Sequence, residues 1–224
     1  MKTEILQILR NTDGYVSGQQ LCDTLGVSRT AVWKVINQLK EEGYEIEAVR
    51  NRGYRIVEAA DVLNASELKS RLHTKHIGSE IYYQSEIDST NSWLKRLAEE
   101  GAPDGSVTIA DMQSRGKGRR GRVWVTPFGT SIPFSILLRP DIRPERASML
   151  TLVMGLCVAE AMEQLYGMEV GIKWPNDVVV NGKKICGILT EMTMQAEYID
   201  SVIIGTGINA NMQEFPEELQ DKAT

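Results

Sequence analysis

Three cysteines and two histidines in 224 residues leave little material for a disulfide framework or a metal cluster. Cys22, Cys157 and Cys186 are odd in number, far apart and set among apolar neighbours. That pattern favours reduced, buried thiols and a cytoplasmic setting. His73 and His76 read as isolated surface residues, so no metal-ligating set is assigned. No apolar run approaches the roughly 20 residues of a membrane span, and the N-terminus lacks a secretory layout, so no membrane partner is expected. Internal repeats and low-complexity tracts are missing. So is a Gly-Lys-Ser/Thr triplet, which excludes a P-loop. Positive charge is also in deficit: 25 basic residues face 30 acidic ones, a net charge of −5. The length suits one large domain or two modest ones.

Against that deficit, one stretch is strongly basic. Residues 110–125 carry Arg115, Lys117, Arg119, Arg120 and Arg122, interleaved with Gly116, Gly118 and Gly121. Local cations in an acidic chain suggest a dedicated anion site rather than general stickiness. Glycines allow sharp turns and close backbone approach, and the cations can surround phosphates or a carboxylate. The spacing Gly116-x-Gly118-x-x-Gly121 also matches a dinucleotide fingerprint, but that motif must open a helix. Here it runs into Val123-Trp124-Val125, with Pro127 and Gly129 beyond. The segment therefore reads as a nucleotide-handling loop of another kind.

The first sixty residues have their own logic. Ile5, Leu6 and Leu9 fall at helical spacing in residues 2–10. Ser17-Gly-Gln-Gln20 has the form of a capping box, opening a short helix that ends at Gly26. Ser28 caps a longer helix with Val32, Val35, Ile36 and Leu39 on one stripe, ending at Gly43. Residues 45–57 alternate like a two-stranded ribbon turning near Asn51–Gly53. The sum is a winged helix-turn-helix, a module whose second helix enters the major groove of DNA. Ser28, Arg29, Thr30, Trp33 and Lys34 lie in the early turns of that helix, and Arg50, Arg52 and Arg55 place charge on the wing. Residues 1–57 hold eight Lys/Arg and seven Asp/Glu, so the charge is focused, not general. Residues 58–61 read as a linker, with a second domain from about residue 62.

That domain reads as α+β with a mixed sheet. Strands are expected at Ile81–Ile87, Val107–Ala110, Ser131–Leu138, Val170–Trp174, Val178–Val180, Lys184–Met192 and Ile199–Ile204, the last feeding Gly205-Thr-Gly-Ile-Asn209. Asp88-Ser-Thr-Asn91 reads as a turn capping a helix that buries Trp93, Leu94, Leu97 and Ala98. Residues 145–166 are apolar nearly all round, which predicts a buried central helix ending at Gly167. Asn181-Gly182 is a type I′ hairpin signal. Simple alternation then places Lys184 with Cys186 and Ile188 on one sheet face, and Lys183 with Ile185 and Leu189 on the other. Lys184 is the better candidate for an inward charge seeking an anion.

Five segments recur together: Asp88-Ser-Thr-Asn91, Gln113 through Trp124, Lys173-Trp-Pro-Asn-Asp177, Gly182-Lys-Lys-Ile-Cys-Gly-Ile-Leu189 and Gly205-Thr-Gly-Ile-Asn209. In this order, behind a winged helix, they resemble the family of bifunctional biotin–protein ligases and biotin-operon repressors. The resemblance implies a winged helix-turn-helix over residues 1–60 and a catalytic domain over residues 62–224, similar to class II aminoacyl-tRNA synthetases. It implies biotin and ATP as substrates with Mg2+, giving biotinyl-5′-AMP. Biotin then passes to a lysine of the biotin carboxyl carrier protein of acetyl-CoA carboxylase. It also implies a ligand-dependent homodimer on operator DNA.

Residue by residue, it assigns Ser89, Thr90, Asn91, Gln113, Lys117, Gly118, Arg119 and Lys184 to biotin. Arg119, Arg122, Trp124, Asn176, Asp177 and Asn209 go to the nucleotide, with Asn176 and Asp177 near the metal. Arg119 and Lys184 are the catalytic pair. Cations are needed because a carboxylate and a triphosphate repel each other. Two departures stand out. Lys117 occupies a place where arginine is common, and the family continues beyond the position of Thr224 into a small β domain. The expectation is a truncated chain or a member lacking that part. Two other readings fit less of the chain: a lipoate or octanoate ligase or transferase, and a ligand-sensing repressor without turnover.

Overall fold

The computed structural model describes residues 1–58, 62–215, 219–220 and 222–224. It divides into two compact units, Met1–His73 and Thr74–Thr224.

In the first unit, α1 (Lys2–Arg10), α2 (Gly18–Leu25) and α3 (Arg29–Glu41) precede the antiparallel pair β1 (Glu45–Val49) and β2 (Gly53–Glu58). Ser17 and Ser28 cap α2 and α3 by accepting from the amides of Gln20 and Ala31. Ile5, Leu6, Leu21, Val32, Ile36 and Leu39 form a dry core. The wing turn closes tightly: a Cβ on Gly53 would stand 2.0 Å from the Val16 carbonyl oxygen. A further helix, α4 (Ala65–Arg71), belongs to this unit although a second domain was expected from residue 62. Its Glu67 is buried, and accepts from Arg10 of α1 at 2.6 Å, from Arg71 at 2.6 Å and from the Tyr44 hydroxyl. That carboxylate, invisible in an apolar pattern, draws α4 to the winged helix. The expected linker at 59–61 lies outside the described residues.

The second unit is a seven-stranded mixed sheet. In chain order its strands are β3 (Ile81–Ile87), β4 (Val107–Gln113), β5 (Ser131–Leu138), β6 (Val170–Lys173), β7 (Asp177–Val180), β8 (Lys183–Gln195) and β9 (Tyr198–Asn209). The spatial order is β3-β4-β5-β9-β8-β7-β6, with β3 and β4 parallel and every other pair antiparallel. Helix α5 (Thr90–Glu99) covers one face through Leu94, Leu137 and Ile203. Helix α6 (Met149–Tyr166) covers the other through Val158, Ala159 and Met162, against Cys186, Ile188, Val202 and Ile204. Ile203 and its neighbours alternate along β9, which puts the helices on opposite faces. At the β7–β8 turn both Asn181 and Gly182 take positive φ, 51° and 77°, as a type I′ turn requires.

Four expectations need correction. Helix α6 is not buried all round: Met149, Val153, Leu156 and Leu165 are exposed. Burial needs partners on every side, and the sheet supplies one. The stretch Pro144–Tyr166 is also long and apolar enough to cross a membrane by length and composition, with mean hydropathy 1.3 in an 18-residue window, contrary to the expectation of no such run. Cys157, on the outer face of α6, is exposed, whereas Cys22 and Cys186 are buried. Finally, the last strand does not end at Ile204: β9 runs on through Gly205–Asn209.

Candidate active site

The site lies on the α5 face of the sheet, over the centre of β8 and β9. Gly187 and Gly207 stand opposite each other in register, and Gly205 stands opposite Leu189. No side chain rises from these glycines, so three other side chains lie across them. A Cβ on Gly207 would come within 2.5 Å of the Trp124 ring, and one on Gly187 within 2.8 Å of that ring and 2.9 Å of the Lys184 amine. A Cβ on Gly205 would meet Asn91 Oδ1 at 2.0 Å. The indole therefore rests on a glycine floor, with its Nε1–H buried and without an acceptor among the described residues.

Lys184 reaches this face by a β-bulge. Val178 pairs with Cys186 and Val179 with Lys184, so Ile185 is an extra residue in β8. Cys186 and Ile188 pack towards α6, and burial pushes the Cys186 thiol up to about 12. Lys184 lies instead with Gly187 and Leu189 on the pocket side. The inward lysine was expected, but on the face of Cys186; the bulge moves it to the other. Its Nζ stands 2.7 Å from Asp177 Oδ1 and 5.3 Å from the Trp124 ring centroid.

The basic segment is a small hairpin rather than an open loop. Trp124 N–H donates to the Gly116 carbonyl at 2.9 Å, Gly118 N–H to the Arg122 carbonyl at 2.7 Å, and the tip turns at Arg120 and Gly121, both left-handed at φ 56° and 73°. Gly116 is required where it stands: a Cβ there would be 2.2 Å from the Trp124 carbonyl oxygen. Arg119 Nη1 donates to Asn176 Oδ1 at 2.9 Å, and Asn176 is itself tied to Ile188 by two hydrogen bonds. The tip is thereby pinned to the turn before β7.

At the other end, the start of α5 supplies polar groups. Asp88 is held below the usual carboxylate range chiefly by the Arg96 guanidinium, which outweighs the opposing effect of burial, with a further contribution from the Ser89 N–H. Ser89 is the N-cap residue, yet its hydroxyl makes no capping bond. Gln113 Oε1 accepts from both the amide and the hydroxyl of Thr90, at 2.8 and 3.1 Å. A backbone N–H can only donate, so the amide orientation of Gln113 is settled: Nε2 faces Thr126. Asn91 lines the pocket but offers it nothing. It is buried, its Oδ1 accepts from Ser135 at 2.6 Å, and its Nδ2 donates to Glu191 at 2.7 Å and Leu189 at 3.3 Å.

All eight residues assigned to biotin in the sequence surround one pocket, together with Trp124 and Asn176. Arg122, Asp177 and Asn209 line an adjoining, larger cleft. Gly118, Arg119, Trp124, Asn176 and Lys184 belong to both, so two cavities share a wall that carries two cations. Asn209 donates from Nδ2 to the Thr224 carbonyl at 3.0 Å. Sequence reasoning missed Ser135, Glu191 and Thr126, which carry no motif, and gave the glycines no steric role.

In the first unit, Arg29, Thr30, Trp33 and Lys34 are exposed on α3 and Arg50 and Arg52 on the wing. Trp33 is 56% exposed. Ser28 uses its hydroxyl oxygen as a cap, Arg29 donates to Gln19 at 2.8 Å, and Arg55 pairs with Glu47 at 2.9 Å.

Residues 83–209 match the biotin/lipoate A/B protein ligase family, and residues 2–55 match an HTH domain. The chain is 46% identical over 212 residues to the bifunctional ligase/repressor BirA of Bacillus spizizenii, covering 94% of this chain and 65% of that protein. It is 36% identical to the protein of the same name from Escherichia coli K12 over 217 residues, covering 96% and 65%. It thus spans about two thirds of the length of these curated relatives. A solved biotin protein ligase from Aquifex aeolicus, in complex with biotin and ATP, superposes with a TM-score of 0.56 at 40% identity, covering 65% of this chain and 59% of that one.

Proposed function

The chain belongs to the biotin/lipoate A/B protein ligase family, and we propose that it joins biotin to ATP and hands the product to a carrier lysine. A biotin carboxylate oxygen attacks the α-phosphorus, pyrophosphate leaves, and biotinyl-5′-AMP remains. The ε-amine of a lysine on the biotin carboxyl carrier protein of acetyl-CoA carboxylase then attacks the acyl carbon, and AMP departs. With the adenylate bound, two copies pair and set their winged helices on operator DNA.

The observation that carries this reading is the shared wall. Two anions must meet with their charges neutralised, and Lys184 and Arg119 stand where the two cavities join. The ureido head of biotin is matched by the Ser89, Thr90 and Gln113 end, a run of polar groups along one side of the pocket. An octanoyl chain has no polar group to meet that end, which favours biotin over octanoate or lipoate. Magnesium fits best as the companion of the triphosphate rather than in a protein cage. No three His, Cys, Asp or Glu side chains come together among the described residues, and Asp177 is engaged by Lys184. On the first unit, the exposed cations of α3 and the wing support phosphate contact.

Pyrophosphate exchange into ATP tests the proposal. Biotin-dependent exchange is expected. Exchange driven by octanoate instead, or none with either acid, would overturn it.

A further inference from the structure

Beneath the pocket runs a chain of side chains that reaches the basic hairpin. Ser135 Oγ, fully buried, has one proton and two acceptors, Asn91 Oδ1 at 2.6 Å and Thr90 Oγ1 at 2.9 Å. Asn91 Nδ2 passes the connection to Glu191 Oε2 at 2.7 Å. The other carboxylate oxygen of Glu191 stands 3.9 Å from Lys117 Nζ in the hairpin stem. On its other branch, Thr90 leads through Gln113 Oε1, and Gln113 Nε2 lies 3.4 Å from Thr126, where the hairpin rejoins the sheet. Two orientations are fixed: Asn91 Nδ2 donates to Glu191 and Leu189, so only its Oδ1 can meet the single Ser135 proton, and the Thr90 N–H makes Gln113 Oε1 an acceptor.

We propose that Ser135 and Glu191 are positioning residues. Through Asn91 they fix the polar end of the pocket and the stem of the Lys117–Trp124 hairpin as one unit. Neither is assigned a ligand contact. Lys117 accordingly serves first as the hairpin's anchor to β8, and Arg119 and Lys184 are the cations on the wall that the two cavities share. The consequence for catalysis, which rests on the ligase reading, is that floor and cover form together: a ligand that orders one orders the other.

Hydrogen exchange of backbone amides in the full-length, ligand-free protein tests the strap directly. The reporters are the Trp124 and Gly118 amides within the hairpin, the Thr90 amide in the floor, and Ile204 as a sheet reference. Glu191→Gln keeps an acceptor for Asn91 but loses the charge facing Lys117. The hairpin amides should then exchange about two- to five-fold faster, the range that a half-exposed ion pair supports, with Thr90 and Ile204 unchanged. Glu191→Ala, which also removes the Asn91 acceptor, should accelerate Thr90 as well.

Ser135→Ala, although outside the hairpin, should accelerate Trp124, and its combination with Glu191→Gln should give less than the product of the two effects. Hairpin amides that ignore all three changes, or effects that multiply, would overturn the strap. If Ser135→Ala does not fold, equality of the Gln and Ala variants at Thr90 decides against it. In turnover, Glu191→Gln should raise the biotin KM about two- to five-fold by the same ion-pair estimate, with kcat nearly unchanged. Biotin and ATP should also slow exchange of the hairpin amides in the unaltered protein. Failure of that protection would defeat the ligase reading, while the ligand-free comparison judges the strap alone.

Discussion

Replacing Gly205 by alanine tests the glycine floor most sharply, because the clash falls on a short, locked side chain. The new Cβ would sit 2.0 Å from Asn91 Oδ1, whereas such contacts are not found under 3.0 Å. Asn91 must therefore retreat by about 1 Å, the difference between those two distances, and the 2.6 Å bond from Ser135 cannot survive. Two polar atoms are then buried without partners, at about 1–3 kcal/mol each. Allowing for partial relaxation, a loss of about 3 kcal/mol is expected, which is roughly 6–12 °C in Tm for a unit of this size.

Urea unfolding followed by tryptophan fluorescence measures it, since Trp93, Trp124 and Trp174 all lie in the second unit. The control is Asn91→Ala. In that background the obstacle is gone, and Gly205→Ala should cost under about 1 kcal/mol, in the manner of a double-mutant cycle. A loss below about 1 kcal/mol in the otherwise unaltered protein, or an equal loss in both backgrounds, would refute the steric argument.

Lys184→Gln should reduce adenylate formation at least about 100-fold, read by pyrophosphate exchange, with an unchanged melting curve; it removes charge where phosphate oxygens develop it. Arg29→Ala should weaken duplex DNA binding and leave exchange untouched, as checked by fluorescence anisotropy against salt. Burial raises the pKa of Glu67, but the bonds from Arg10, Tyr44 and Arg71 outweigh it and hold the group below its ordinary value. A lowered carboxylate stabilises the fold above its unfolded value of about 4.3 and loses that contribution as the pH falls through the folded value. Acid unfolding of the first unit should therefore steepen below about pH 4.3, and Glu67→Gln should flatten that dependence while costing about 2–3 kcal/mol at neutral pH, followed by circular dichroism.

What could be read from the chain was local. Ser17 and Ser28 cap because the chemistry of a helix start needs only the next three residues. Gly26 and Gly167 end helices because left-handed backbone, at φ 66° and 64°, suits glycine. Asn181-Gly182 turns for the same reason. What could not be read was long-range. Glu191 and Ser135 meet Asn91 across separations of 100 and 44 residues, and no periodicity announces such a partnership. The expected last strand stopped at Ile204, short of Gly205 and Gly207. They belong to β9 because Trp124 and Asn91 need the space their side chains would fill. The outer face of α6 followed composition without regard to what the sheet can cover.

Lys184 illustrates the difference between a correct residue and a correct reason. Strict alternation would have buried its amine beside Cys186 against α6, where an ammonium has no partner and is costly. The single extra residue Ile185 lets an apolar pair, Ile185 and Cys186, stay on the α6 side while Lys184 crosses to the glycine floor. There the ammonium has three N–H donors. It forms an ion pair with Asp177 Oδ1 at 2.7 Å, beside the face of Trp124, and still lines the shared wall of the two cavities, so Asp177 holds the lysine in place without removing it from that wall. An arginine, whose donors are fixed in one plane, could not keep the carboxylate, the ring and an incoming anion at once. The bulge therefore turns a residue that composition would bury into one that can hold a partner and still receive a ligand.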